Sequence, residues 1–338
     1  MKTLFLYLIN DPKDERPLAG LTPYEWLLRG AEGCPRREIA EEDEATLPQG
    51  VEGVAILRAD TPLVRKEDLA DLLEEMKKRG IDGYEIGRGR LLTAEAFRLG
   101  KMPKRRCLAP FAKRLTDERS RGEIERILYR RNADLSVQNG AIIPDVDAVK
   151  IDAFSLVEKG ATIEPYVRLT RSRVEEGAVI GSFCDIKNAL IGAGARIEHS
   201  VICDSEVGAD ATVGPFAYLR MGAKIGEGVR IGDFVEVKKS TLGAGAKAAH
   251  LAYIGDAEVG ANTNVGCGTV FANYDGKVKH ETHVGERVFI GANTNLIAPV
   301  TVGDDAYIAA ASTVTKDIPP RAFVIGRVRE EVKEKRRE

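Results

Sequence analysis

The stretch IGEGVRIGDFVEVKKSTLGAGAKAAHLAYIGDAEVGANTNV, Ile225 to Val265, decides the fold. An aliphatic residue returns about every six positions, at Ile225, Ile231, Val237, Leu242, Ala248, Ile254, Val259 and Val265, often with glycine next. A helix cannot use this spacing, because six residues turn about 600° and smear the apolar positions around the cylinder. A β-sandwich would show alternation of period two instead. Sustained self-similarity at a fixed step is the mark of a solenoid. Three hexads make one triangular coil, and same-face residues such as Leu219, Val237 and Ile254 recur at that step, one coil apart. The reading is a three-sided β-helix with its aliphatic residues stacked inside the prism and glycines supplying backbone freedom at the corners.

Working outward, the ladder runs back through Ile197, Ile191, Ile186, Ile180, Val174 and Leu169 to Ile163, Val157 and Ile151. From Ile186 to Leu219 the same-face step is nearly two coils. Forward, it breaks after Phe271 and resumes at Val284, Ile290, Leu296, Val302, Ile308 and Val314. The interrupting ANYDGKVKHETH cannot be fitted into a coil and is expected to loop outward.

The N-terminal part, up to about Gly140, follows another grammar. Strands are expected over Leu4 to Ile9 and Val54 to Arg58, and helices over Tyr24 to Arg29 and Lys66 to Arg79. In the second helix Leu69, Leu72, Leu73 and Met76 share one face. Alternating strands and helices imply a small α/β sheet. A helical stretch from Glu123 joins the halves. The expected domains are an α/β unit over 1–120, a helical linker over 121–140, the β-helix over 141–327 and a charged tail over 328–338, either a terminal helix or a frayed end.

Fifty Lys and Arg against 52 Asp and Glu leave a formal charge of -2. That balance gives no electrostatic case for nucleic acid or an anionic membrane, so an anionic ligand needs a local basic cluster. Five cysteines form no CxxC pair, which suits free thiols in a reducing compartment. The N-terminal apolar run is too short for a signal segment or membrane span. A cytoplasmic protein is expected.

Within Gly214 to Gly276 the motifs FVEVKK, HLAYIGDAE and NYDG occur in order, and GANTNLIAPVTVGDDAYIAAASTVTKDIPP follows. From about Gln138 to Arg327 the sequence resembles the acetyltransferase half of the bifunctional bacterial N-acetylglucosamine-1-phosphate uridyltransferase/glucosamine-1-phosphate N-acetyltransferase family, whose prism is a left-handed parallel β-helix. The resemblance implies acetyl transfer from acetyl-CoA to an amino-sugar phosphate, on the route to UDP-N-acetylglucosamine and the cell wall. It implies that His250 is the general base. An amine attacks only when unprotonated, and an imidazole with an ordinary pKa of about 6.5 can take its proton. Arg220, Lys238, Tyr253 and Asn264 match the family's sugar-phosphate binders. A phosphate wants a guanidinium fork and an ammonium, and a hydroxyl and an amide orient the sugar. Arg220 and Lys238, one coil apart, are expected side by side. Glu236 is expected to orient the base or a lysine, with charge balancing as the alternative.

In that family the interrupting loop reaches the acetyl-CoA site of an adjoining subunit in a trimer. Asn273 and Tyr274 match its cofactor contacts, and Cys267, Ala292, Ala310 and Arg327 match others. Cys267 and Ala292 stand where Ala and Ser are common, and Glu281 where a basic residue is common. Four histidines, none spaced one coil from His250, argue against the three-histidine zinc sites known on some prisms. No metal is expected.

The family's front domain opens with a glycine-rich phosphate loop. Here INDPKDERPLAGL holds one glycine, Gly20, with Asp11, Asp14 and Glu15 expected to repel phosphate. ILRADTPL resembles the strand end that carries the family's metal-binding aspartate, so Asp60 is either a remnant of that site or a turn or cap residue, and one carboxylate without the phosphate loop cannot assemble a metal–nucleotide complex. The front domain is expected to be degenerate, without uridylyl transfer. Two other readings stand beside this one: an acetyltransferase for a different or nucleotide-linked amino sugar, and a non-catalytic scaffold or regulator that kept the prism but lost turnover.

Overall fold

The computed structural model describes residues 4–332, which form two compact units divided between Arg131 and Asn132. In the second unit the aliphatic ladder becomes three parallel sheets. Leu219 pairs with Val237 and Val237 with Ile254 on the first face. Ile225, Leu242 and Val259 line up on the second face, and Ile231, Ala248 and Val265 on the third. These residues are almost fully buried in one continuous core. The architecture is a three-sided parallel β-helix.

One rung escapes the sequence ladder. Ile202 pairs with both Ile186 and Leu219 and is completely buried. The coil from Ile186 to Ile202 is shorter than those on either side of it, because His199 turns the corner early.

The corners also differ from expectation. Left-handed glycines serve the corner between the second and third faces, as at Gly160, Gly177, Gly194, Gly228 and Gly245. The corner between the third and first faces uses Tyr166, Phe183, His199, Phe216, Phe234 and Leu251, all at positive φ. Each such residue costs roughly 1–3 kcal/mol of backbone strain, and a ring pair returns about 0.5–1.5 kcal/mol beyond its buried area. Successive rings from Tyr166 to Phe234 lie 5.2–5.8 Å apart, so stacking offsets much of the strain.

The first unit is a six-stranded mixed sheet. β1 (Leu4–Ile9) lies between β2 (Arg36–Glu38) and β3 (Gly53–Arg58), parallel to both. β4 (Gly83–Ile86) and β5 (Gly89–Thr93) form an antiparallel hairpin on β3 that the sequence reading did not foresee, and β6 (Arg105–Arg106) closes the edge. Helix α1 (Pro23–Gly30) is capped by Thr22 and Glu25. Helix α2 (Lys66–Arg79) buries the expected Leu69, Leu72, Leu73 and Met76. The short α3 (Ala94–Arg98) precedes α4 (Glu118–Gln138), which starts earlier than Glu123 and contains the division between the units. Residues 328–332 have no regular structure, and the rest of the tail lies outside the described residues. No described helix is long and apolar enough to cross a membrane. The five cysteines are unpaired.

Candidate active site

Strands Tyr218–Arg220, Glu236–Lys238 and Tyr253–Gly255 are neighbours on the first face, and their register sets Arg220 beside Lys238 and Lys238 beside Gly255. Strand alternation points the rungs inward and these polar residues outward. Arg220 donates from Nε to Glu236 Oε1 at 2.8 Å. Glu236 therefore holds the arginine, and neither the base nor a lysine. It stands opposite Tyr218 and Tyr253 on the first face, whereas His250 belongs to the third.

Lys238 is 4% exposed, and its ammonium lies 3.0 Å from Asp256 Oδ2. Asp256, equally buried, occupies a left-handed corner one coil on and also takes Lys239 at 3.2 Å. Burial pushes the Asp256 carboxyl up, but bonds from Lys238, Lys239 and Asn273 outweigh it and hold the group below the ordinary aspartate value. Burial likewise pulls the Lys238 ammonium down, and its pairing with Asp256 leaves it raised. Lys279, on the interrupting loop, faces Lys238 and is lowered by that ammonium. Glu281 lies 3.9 Å from Lys239. Asp256, Lys239 and Lys279 were missed by sequence reasoning, although Asp256 follows Lys238 by one coil.

Tyr253 folds its phenol over Gly255, where a Cβ would collide with it. Asn273 Nδ2 donates to Asp256 Oδ2 and approaches the Tyr253 hydroxyl at 3.5 Å. Asn273 is thus buried against its own chain rather than carried outward. The outward part begins at Tyr274, which bridges to Lys279 in a small hairpin. A cavity of about 230 Å³ beside the cluster is lined by Lys224, Lys239, Asp256 and Glu281. A wider groove of about 570 Å³ runs from Phe154 to Lys224 and contains none of the expected site residues.

His250 lies around the corner, at the end of strand Lys247–His250 of the third sheet. Its Nδ1 sits 2.6 Å from Asp233 Oδ1, and the side chain is more than half exposed. Asn264 stands on the next coil of that sheet, between Lys247 and Phe289. The structure therefore gathers Arg220, Lys238 and Tyr253 on one face and sets His250 and Asn264 on another.

Cys267, Ala292 and Ala310 each follow a rung of the third face by two positions and are exposed on successive coils. The corner residues beside them are Gly268, Asn293 and Ala311, small where the lower coils carry aromatic rings. Arg327 donates to the Ala310 carbonyl at 2.8 Å, joining two expected cofactor positions. His280 bonds Asp275 and His283 bonds Glu258. No group of three or more potential metal ligands occurs among the described residues.

In the first unit Asp60 is 1% exposed. Its Oδ2 accepts from Arg114 Nε at 2.8 Å and lies 3.5 Å from Arg88, while its Oδ1 has no hydrogen-bond partner among the described residues. The acidic turn after β1 is not bare: Asp11 pairs with Arg58 and Arg88, and Asp14 with Arg16 and Arg121. The expected repulsion of phosphate is thereby offset by arginine.

Residues 281–316 match the family model described as bacterial transferase hexapeptide (six repeats). The chain is 48% identical over 221 residues to the bifunctional protein GlmU of Geobacillus sp. (strain WCH70), covering 65% of this chain and 48% of the relative. It is 46% identical over 213 residues to that of Clostridium acetobutylicum, covering 63% and 47%. Among solved structures, the UDP-N-acetylglucosamine acyltransferase from Campylobacter jejuni aligns at 23% identity over 53% of this chain and 71% of that one, with a TM-score of 0.34. The chain spans about half the length of the curated relatives it matches, and over that part it is a homologue of the bifunctional GlmU proteins that carries hexapeptide repeats.

Proposed function

We propose that the chain transfers the acetyl group of acetyl-CoA to the amine of glucosamine-1-phosphate, as a homotrimer and without uridylyl transfer. The observation that carries this reading is the cation cluster on the first face. Among the described residues, the carboxylates that Arg220, Lys238, Lys239 and Lys279 meet are Glu236, Asp256 and, at the rim, Glu281. A sugar phosphate supplies the missing anionic charge to a guanidinium fork and ammonium groups. Tyr253 and Asn264 offer the hydroxyl and amide that orient a sugar.

The amine lone pair attacks the thioester carbonyl carbon, the C–S bond breaks and the ammonium proton passes to His250. Nδ1 of His250 is taken by Asp233, so Nε2 is the nitrogen free to receive it. The same proton can then neutralise the departing thiolate, leaving an amide and CoA. Cys267, Ala292 and Ala310 offer a line of small exposed residues along which the extended CoA can lie, with Arg327 at its upper end. The division of the expected residues between two faces and a hairpin supports sites shared between subunits. In the first unit, a metal ion would have to displace two guanidinium groups from Asp60, which supports the absence of uridylyl transfer.

The test is a comparison of kcat/KM for glucosamine-1-phosphate and free glucosamine. Bonds to a charged group contribute about 1.5–3 kcal/mol each, so the phosphorylated sugar should win by roughly tenfold or more per contact. Arg220→Ala should remove most of that preference. Equal use of both sugars by the unmodified protein contradicts the reading.

A further inference from the structure

Third-face strands next to the central coils are two residues long, as in Thr212–Val213 and Asn264–Val265. At one place two neighbouring strands are each four residues long, Arg230–Asp233 beside Lys247–His250. The extension depends on Gly232, where a Cβ would collide with the carbonyl oxygen of Ala249 on the neighbouring coil. Without that Cβ the two coils stay close for one more residue pair, and that pair is Asp233 and His250. The turn is tied down from behind as well. Leu251 N–H donates to the Asp233 carbonyl at 2.8 Å, and Phe234 stacks on Phe216 at 5.6 Å.

We infer that Asp233 is a positioning residue for the acetyl transfer proposed above, holding His250 as the tautomer that keeps its proton on Nδ1 and its lone pair on Nε2. The inference rests on the reading of His250 as the base. The carboxylate is an acceptor only, so the nitrogen facing it at 2.6 Å carries the hydrogen. That leaves Nε2 as the basic atom of a side chain more than half exposed. When Nε2 takes the ammonium proton, the same carboxylate faces a full imidazolium, so it stabilises the charge that develops in the step. Asp233 is held below the ordinary aspartate value, chiefly by the His250 hydrogen bond, so it stays ionised at neutral pH. Glu236, the acid expected from sequence to serve the base, serves Arg220 instead.

The experiment combines steady-state kinetics with 15N NMR of the histidine ring in the full-length protein. Asp233→Ala should lower kcat roughly 10- to 100-fold, part of the 10² to 10⁴ that general base catalysis supplies, with KM for both substrates nearly kept. Its His250 should lose the Nδ1–H tautomer that the unmodified protein shows. Asp233→Asn discriminates further. A merely structural contact would tolerate the isosteric amide, but an amide can present N–H to Nδ1 and favour the opposite tautomer, so this variant should be impaired at least as much as Asp233→Ala. Gly232→Ala, which leaves both partners in place, should reproduce the tautomer change by prying the coils apart.

Unchanged kcat and an unchanged ring tautomer in both Asp233 variants would overturn the inference. An unmodified protein inactive on every amino sugar would count against the acetyl-transfer reading, while a tautomer shift in Asp233→Ala would still uphold the placement of His250. Loss of activity in Asp233→Asn with the Nδ1–H tautomer intact would overturn the tautomer role.

Discussion

Lys238 can be buried because Asp256 meets it one coil away, and the pair illustrates how a β-helix builds a site from single residues. Removing one member of a buried ion pair leaves the other uncompensated, at a cost of roughly 3–5 kcal/mol. Asp256→Ala should therefore destabilise the prism by about that amount, measured by denaturant unfolding, whereas Lys239→Ala at the exposed rim should cost about 1 kcal/mol or less. Because the folded Asp256 carboxyl is held below its ordinary value, its contribution is present above that value and is lost as pH falls through the lowered one. Asp256→Ala should thus flatten the acid limb of the stability curve. Equal losses in the two variants would contradict the buried pairing.

At this scale the sequence was legible wherever the one-coil step was followed. Arg220 and Lys238 were paired correctly in register by that rule. The same rule links Asp233 to His250 and Lys238 to Asp256, acidic partners that an aliphatic ladder does not mark. Glu236 was assigned by its nearness in sequence to Lys238, although strand alternation and the coil below direct its carboxylate to Arg220.

A coil is the unit of the next scale, and its length sets what the period can reveal. Most coils keep nearly the same length, so the prism could be read from the ladder alone. Ile202 was lost because its coil drops a corner residue at His199, which shifts every later rung out of phase with a fixed step. If the register is right, Ile202→Ala should cost roughly 2–5 kcal/mol as a core cavity. Its partly exposed neighbour Val201→Ala should stay within about 1 kcal/mol. The reverse order in thermal unfolding would refute the assignment. In the first unit the β4–β5 hairpin was invisible to a strand–helix alternation, because the connecting Gly87 reverses the chain within a very short turn.

For the whole molecule, the proposed residues lie on two faces and a projecting hairpin, and the proposal of a trimer follows from that distribution. If His250 and Tyr274 act at one site from different chains, mixing inactive His250→Ala with inactive Tyr274→Ala protein after dissociation and reassembly should restore a fraction of activity. Sedimentation showing a fully active monomer would defeat this arrangement. Failed complementation within a confirmed trimer would place both residues on one chain.

The central claim is that a base on one prism face takes the proton from a sugar amine as acetyl-CoA acetylates it, with the sugar's phosphate held by the cation cluster, and thiol release with acetyl-CoA and glucosamine-1-phosphate measures it directly. The unmodified protein should release CoA only when the sugar is present. His250→Ala should lower kcat by roughly 10² to 10⁴ while leaving the fold intact. No sugar-dependent thiol release by the unmodified protein, or near-normal turnover by His250→Ala, would contradict the account.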